Sequence, residues 1–547
     1  MDHWVGLRPD SIWLRDRHGN GYTDWTWKGA QREIRAVAAW LELEYGDQGA
    51  RFAILSRNRA HWIMADLAIA ASGNVSVPLF TNQPGEVTRY ILDFAGVELL
   101  FIGETENWEE VSDILPAGVR VVRFSGEDVP ACGSEWDDIV ETHRDSAPRH
   151  RCQHDELLSI VFTSGTTGRP KGVMQTHDSM LVPMLRCKKA FTLRQHPRFL
   201  SYLPMSHVAE RQLVLIQSLI YGGEITVNEA LPHLLRDLGD TRPNYFFGAP
   251  RVWEQLQQAV LAHFGSQEAL DQALNEDQEN IINGVRGLLG LQDFDYLLTA
   301  SAPTPPALIS WYDRLGIRLC EGYGQTEAMG LIANSPEDRR IGSVGKPIGN
   351  VEIRIDDSGE LLVRAPGLAV GYFRMPEETA ETFVNGWVRT GDRARVDEDD
   401  YYYITGRVKE YFKTIQGKFV APAPIESAFA RSRWVDQQCL LGRGFSRTVM
   451  VCVPSALAGQ EGRETLEEAL RNEAAQVNES AQKHERIGAI IVTTEPWTVA
   501  NGFLTPTLKL RREQVEARFG ERAEPLAREA AERGELLVEW TTDFPPG

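Results

Sequence analysis

The chain has 547 residues, 42% hydrophobic and 24% charged, so it holds apolar material for a large core and more length than one ordinary core uses. Lys and Arg number 57 against 77 Asp and Glu, a net charge of −20, which excludes a nucleic-acid binder because a phosphate backbone would be repelled. The start, Met1-Asp2-His3-Trp4, lacks the basic and apolar pattern of a signal peptide, and no stretch approaches the ~18 apolar residues of a membrane span. A cytoplasmic chain is expected. Its six cysteines are scattered without CxxC or metal-ligand spacing, as for reduced buried thiols.

In chain order, the apolar spacing predicts a helix from Gly29 to Leu43, ending near Tyr45-Gly46. A strand at Arg51–Leu55, a helix at His61–Ala71 and a strand at Val75–Leu79 follow, then strands at Glu98–Ile102 and Val119–Phe124. That alternation predicts parallel sheets covered by helices. Between about Val344 and Tyr403 the texture changes: Val351–Ile355 alternates with period two, and Asp357-Ser358-Gly359 turns into Glu360–Val363, a hairpin pattern. Asp397–Asp400 reads as a solvated turn. Beyond Arg407 an α+β segment is expected, with strands near Gln438–Leu441 and Thr448–Val453 and helices near Glu464–Ala475 and Glu513–Phe519.

The stretch most telling about chemistry is Thr163-Ser164-Gly165-Thr166-Thr167-Gly168-Arg169-Pro170-Lys171-Gly172, directly after the apolar run Ile160-Val161-Phe162. Glycines let backbone N–H groups turn toward an anion, hydroxyls add donors, and Lys171 supplies compensating charge. The GK[ST] ending of a P-loop is absent.

This stretch resembles the phosphate-binding signature of the adenylate-forming superfamily, and further motifs appear in the family's order. Glu321-Gly322-Tyr323-Gly324-Gln325-Thr326-Glu327 is similar to its YGxTE motif. The resemblance implies that Tyr323 stacks on adenine, Thr326 meets the α-phosphate, and Glu327 with Thr166 holds Mg²⁺. Ser301 and Ala302 join the nucleotide set by the same resemblance. Asp392, in Arg389-Thr390-Gly391-Asp392, and Arg407, in Tyr403-Ile404-Thr405-Gly406-Arg407, resemble the ribose contacts, and Lys409 falls at the family's hinge. Lys509, within Asn501–Arg512, matches the lysine that bridges carboxylate and α-phosphate during adenylation. Ser201–Arg211 and the surroundings of Lys509 resemble the long-chain fatty acyl-CoA synthetase branch, which implies that His207 lines the acyl site and that Gln416-Gly417-Lys418 approach CoA.

The fold so implied is α/β: a large N-terminal domain, residues 1–408, of helix-covered mostly parallel sheets with a β-rich subdomain, and a small mobile α+β C-terminal domain, residues 409–547. The reaction implied is ATP-dependent activation of a carboxylic acid, a medium- to long-chain fatty acid, through acyl-AMP and then transfer to CoA. ATP, Mg²⁺ and CoA are the expected cofactors and co-substrates. Ala300 and Ser301 depart from the glycine-richer segment along the acid-binding wall, which leaves open a shorter, ring-containing or hydroxylated acid. Trp253 is a candidate gate of the acyl pocket or, equally, a core indole. A carrier-protein phosphopantetheine stays open as the acceptor, as does a silent homologue that only binds acyl nucleotides. A peripheral membrane contact is also left open.

Overall fold

A computed structural model of the chain describes residues 1–46, 49–105, 108–126, 133–163, 169–505 and 508–541. It falls into two compact units, one of residues 1–354, 362–389 and 397–402, the other of residues 355–361, 390–396 and 403–547.

The larger unit is built on two sheets. In the seven-stranded sheet the order is Ser134–Glu135, Arg120–Arg123, Leu99–Ile102, Arg51–Leu55, Val75–Leu79, Leu157–Thr163, Lys171–Thr176. Its strands are parallel except for the last pair. Phe52 and Ile54 enter one apolar cluster while Ala53 and Leu55 enter another, so both faces are covered and the strand reads as an unbroken apolar run. The nine-stranded sheet has parallel central strands, including Arg198–Ser201, Tyr245–Gly248, Tyr296–Thr299 and Leu319–Gln325, with antiparallel strands at both edges.

The helix Trp27–Tyr45 buries Trp27, Ala30, Ile34, Val37, Ala38 and Leu41, one face at helical spacing. Thr26 caps its start by accepting from the Gly29 N–H, and Gly46 ends it at φ +78°. The expected strands Arg51–Leu55 and Val75–Leu79 form as read. The predicted hairpin forms as Glu352–Ile355 and Glu360–Arg364. Its turn is closed by Asp356 Oδ1, which accepts from the N–H groups of Ser358 and Glu360, and Gly359 takes φ +82°.

In the smaller unit a four-stranded sheet runs Val435–Leu441, Thr448–Pro454, Ile487–Val492, Leu537–Trp540. One face, with Leu440, Met450 and Ile490, packs on the helix Arg463–Ser480; the other, with Leu441, Val451 and Ile491, packs on the helix Arg512–Arg533. That last helix is the clearest departure from the sequence reading, which ended it at Phe519. It continues past Gly520 and Pro525 because Ala523, Leu526, Ala527 and Ala530 extend its buried face against the sheet.

Two further readings are corrected. Cys152 is exposed, whereas Cys320, Cys439 and Cys452 are buried free thiols; Cys132 lies outside the described residues. The Asp397–Asp400 turn is more than a solvated run of acids, since Arg340 pairs with Asp397 (2.6 Å) and Asp399 (2.7 Å).

Candidate active site

The glycine- and hydroxyl-rich stretch lies in sequence between two paired strands at the edge of the seven-stranded sheet. The strand Leu157–Thr163 leads into it and Lys171–Thr176 returns antiparallel, with Thr163 opposite Lys171. Residues 164–168, which include Ser164, Gly165, Thr166, Thr167 and Gly168, lie outside the described residues. Gly172 is required by close packing: a Cβ there would come within 2.7 Å of Ile160 Cγ2.

Beside this strand the chain passes again. The Val370 N–H donates to Met174 O (3.1 Å), the Met174 N–H to Gly371 O (2.9 Å) and the Phe373 N–H to Gly172 O (2.8 Å), so 370–373 runs as an antiparallel neighbour. Glu327 lies in the turn between the strands Leu319–Gln325 and Ala328–Ala333. Gln175 Nε2 donates to Thr326 O at 2.6 Å, and the Tyr372 hydroxyl donates to Glu327 Oε1 at 2.7 Å. Lys171 Nζ stands 4.9 Å from the centre of the Tyr372 ring. The structure thus gathers Lys171, Thr326 and Glu327, which are far apart in the sequence, around two residues the sequence reading missed, Gln175 and Tyr372. No local pattern marks either one.

Glu321 is buried on the same strand, away from this turn and opposite Asn334, and its carboxylate accepts from the Gly342 N–H at 3.0 Å. Burial pushes its pKa up to about 8 against the pull of the Gly342 and Thr304 N–H groups. Gly322 allows a tight crossing, since a Cβ there would meet Leu298 Cδ1 at 2.9 Å. Tyr323 and Gly324 follow on the same strand, half-buried.

The expected acid-binding wall follows the strand Tyr296–Thr299. A hydrogen bond of 2.9 Å between the hydroxyls of Thr299 and Thr304 closes the loop. Ala300 packs against the main core, while Ser301 and Ala302 are exposed. Ser301 takes φ +76°, a left-handed conformation that glycine adopts more readily than a residue with a side chain. Trp253 is fully buried with its ring edge-on to Phe246 and Tyr312, and its indole N–H donates to Gly248 O at 3.0 Å.

His207 caps the short helix Val208–Glu210, its Nδ1 accepting from the Ala209 N–H at 3.1 Å, so the neutral ring carries its proton on Nε2. A π-helix, Arg211–Ile216, follows directly. Glu210 is buried, accepts from the Tyr202 N–H at 3.0 Å, and is pushed up to about 8 by desolvation.

In the smaller unit Asp392 Oδ1 and Arg407 Nη1 are 3.1 Å apart. The backbone ahead of Asp392 is held by Glu360, whose Oε1 accepts from the Gly391 N–H at 2.9 Å. Lys409 is exposed on the single 3-10 turn Val408–Glu410. Gln416, Gly417 and Lys418 form the exposed tip of the hairpin Phe412–Lys413 and Phe419–Val420, with Gly417 at φ +73°. Lys509 is exposed in a tight loop where its N–H donates to Thr505 Oγ1 (3.0 Å) and its carbonyl accepts from the Thr505 N–H (2.8 Å). Leu508 before it takes φ +59°, an unusual conformation for a residue with a side chain.

Among the described residues no three His, Cys, Asp or Glu side chains cluster as a metal site. The lone carboxylate of Glu327, with one oxygen engaged by Tyr372, instead suits a hard cation that draws its other ligands from nucleotide phosphates and water.

A family model described as AMP-binding enzyme matches residues 1–373, and one described as AMP-binding enzyme C-terminal domain matches residues 411–529. The long-chain-fatty-acid–CoA ligase FadD15 of Mycobacterium bovis is 31% identical, over 93% of each chain. Fatty acyl-CoA synthetase A of Dictyostelium discoideum is 27% identical, covering 89% of this chain and 82% of its own. Among solved structures, the adenylation domain of a carboxylate reductase from Mycobacterium chelonae superposes with a TM-score of 0.81 at 24% identity, covering 94% of this chain and 89% of that one. This last likeness concerns the fold.

Proposed function

Because the chain belongs to the AMP-binding enzyme family, we propose that it activates a medium- to long-chain fatty acid with ATP, through acyl-AMP, and transfers the acyl group to CoA. The observation that carries this reading is the 31% identity to a long-chain-fatty-acid–CoA ligase over 93% of both chains.

In the first step the carboxylate attacks the α-phosphate and pyrophosphate leaves. Lys171 and the loop from Thr163 to Gly168 bind the phosphates, Tyr323 stacks on adenine, and Glu321, Gly322, Gly324, Ser301 and Ala302 line the nucleotide. Thr326 contacts the α-phosphate, and Asp392 and Arg407 bind the ribose. Mg²⁺, when bound by Glu327 and Thr166, supplies charge neutralisation on the phosphates. Lys509 stabilises charge at the reacting phosphorus. His207, Ala300 and Ser301 border the acyl group; Trp253, which has no exposed surface, fits a core indole better than a gate. In the second step the CoA thiol, on losing its proton, attacks the acyl carbon and AMP leaves. Gln416, Gly417 and Lys418 serve that step after residues 409–547 rotate about Lys409 as a mobile C-terminal domain, distinct from the large domain of residues 1–408.

We read the chain as working in the cytoplasm; among the described residues no helix is long and apolar enough to cross a membrane. The test is pyrophosphate release across acids of graded length and aromaticity, with and without CoA. Turnover of fatty acids to acyl-CoA is expected. Reaction that halts at acyl-AMP despite CoA would favour a carrier-protein thiol as acceptor, and no turnover with any acid would favour a silent homologue.

A further inference from the structure

We propose that Tyr372 is a positioning residue that orients the carboxylate of Glu327 toward a divalent cation and couples it to Lys171. The inference rests on the nucleotide-activating reading of the site.

Three observations converge on Tyr372. Its hydroxyl donates to Glu327 Oε1 at 2.7 Å, a charge-assisted bond that fixes the plane of the carboxylate. Oε2 takes no hydrogen bond from any described residue, so it is the oxygen left for a ligand. The Tyr372 ring is the face on which Lys171 Nζ rests, 4.9 Å from its centre, so one side chain touches both the carboxylate and the cation of the candidate phosphate site.

The ring itself is held rigidly. Tyr372 is buried with Val173 and Ala369, packs edge-on to Phe383, and its N–H donates to Thr379 Oγ1 at 2.9 Å. The backbone on either side is pinned, at Ala369 by an N–H bond to Glu327 O (3.0 Å) and at Phe373 by one to Gly172 O (2.8 Å). A phenol so fixed gives Glu327 one orientation instead of several rotamers. A partner of that kind, hydrogen-bonded to a metal-binding carboxylate, commonly changes metal affinity by about 10–100-fold.

The decisive experiment uses the full chain and Mn²⁺ as a spectroscopic substitute for Mg²⁺. Free Mn²⁺ is titrated by electron paramagnetic resonance in the presence of ATP, without acid or CoA, for the wild type, Tyr372→Phe, Glu327→Gln and the double variant. Phe keeps the ring against Val173, Phe383 and Lys171 and removes only the hydroxyl. Tyr372→Phe is expected to raise the Mn²⁺ Kd about tenfold while metal-free ATP binding stays within about twofold. The double variant should bind Mn²⁺ no more weakly than Glu327→Gln alone. As a second readout, the Mg²⁺ concentration giving half-maximal ATP–pyrophosphate exchange should rise, with the rate recovering at saturating Mg²⁺. An unchanged Mn²⁺ Kd in Tyr372→Phe beside a weakened Glu327→Gln overturns the positioning role and leaves the nucleotide reading standing. A wild type that binds no ATP overturns both.

Discussion

Arg211 and Asp66 form a forked ion pair in the interior of the larger unit, Nη2 to Oδ1 at 2.8 Å and Nε to Oδ2 at 3.2 Å. Arg211 opens the π-helix after His207, Asp66 lies on the helix Ala60–Ala71, and Arg211 Nη1 also donates to Ser159 Oγ at 2.8 Å on the strand Leu157–Thr163. One guanidinium thereby ties the segment after His207 to the strand that precedes the glycine- and hydroxyl-rich stretch. Because both charges are buried, removing one strands the other. Arg211→Met is expected to cost about 3–5 kcal/mol, and Arg211→Met with Asp66→Leu to recover most of that. Urea unfolding of the single and double variants checks this; additive losses would show that the pair is not coupled.

Ser301 bears a left-handed conformation that glycine adopts without strain. Ser301→Gly should therefore stabilise the fold by up to about 1 kcal/mol, read as a higher thermal midpoint, because the strain removed exceeds the added chain entropy. A lower midpoint would mean that the serine hydroxyl contributes more than its backbone costs.

Glu210 carries a pH signature. Its pKa in the fold is about 8, above the ordinary carboxyl value of 4.5, so the folded state holds a proton that the unfolded state releases. Its contribution to stability is complete below about pH 4.5 and is lost as pH rises toward 8, at most ~1.4 kcal/mol per pH unit. Denaturation midpoints between pH 5 and 9 should fall less steeply in Glu210→Gln than in the wild type. Parallel curves would locate the dependence elsewhere, Glu321 being the next group to test.

Lys509→Ala should lower ATP–pyrophosphate exchange by about 10²–10³-fold, while thioester formation from supplied acyl-AMP and CoA stays near wild type. Equal loss in both half-reactions would end the division of roles between Lys509 and the Gln416–Lys418 tip.

Much of the fold is legible in the sequence because it is local. A helix such as Trp27–Tyr45 shows in the spacing of its apolar face, and buried parallel strands such as Arg51–Leu55 show as short apolar runs bounded by turns. The length of Arg512–Arg533 is not legible locally, for the opposite reason. Gly520 and Pro525 signal a stop locally, and only the sheet beneath supplies the burial that overrides them.

The candidate site divides the same way. Sequence alone determined the residue types of the stretch Thr163–Gly172 and the order of the motifs, and it marked Lys171, Glu327, Asp392, Arg407 and Lys509 as candidates, since each stands in a contiguous pattern. Tertiary structure alone decided that Tyr372 reaches Glu327 across 45 residues and that Arg211 reaches Asp66 across 145. Contacts of that kind depend on which strands lie side by side, and neighbouring strands are selected by burial of whole sheet faces, a property no short stretch of sequence carries.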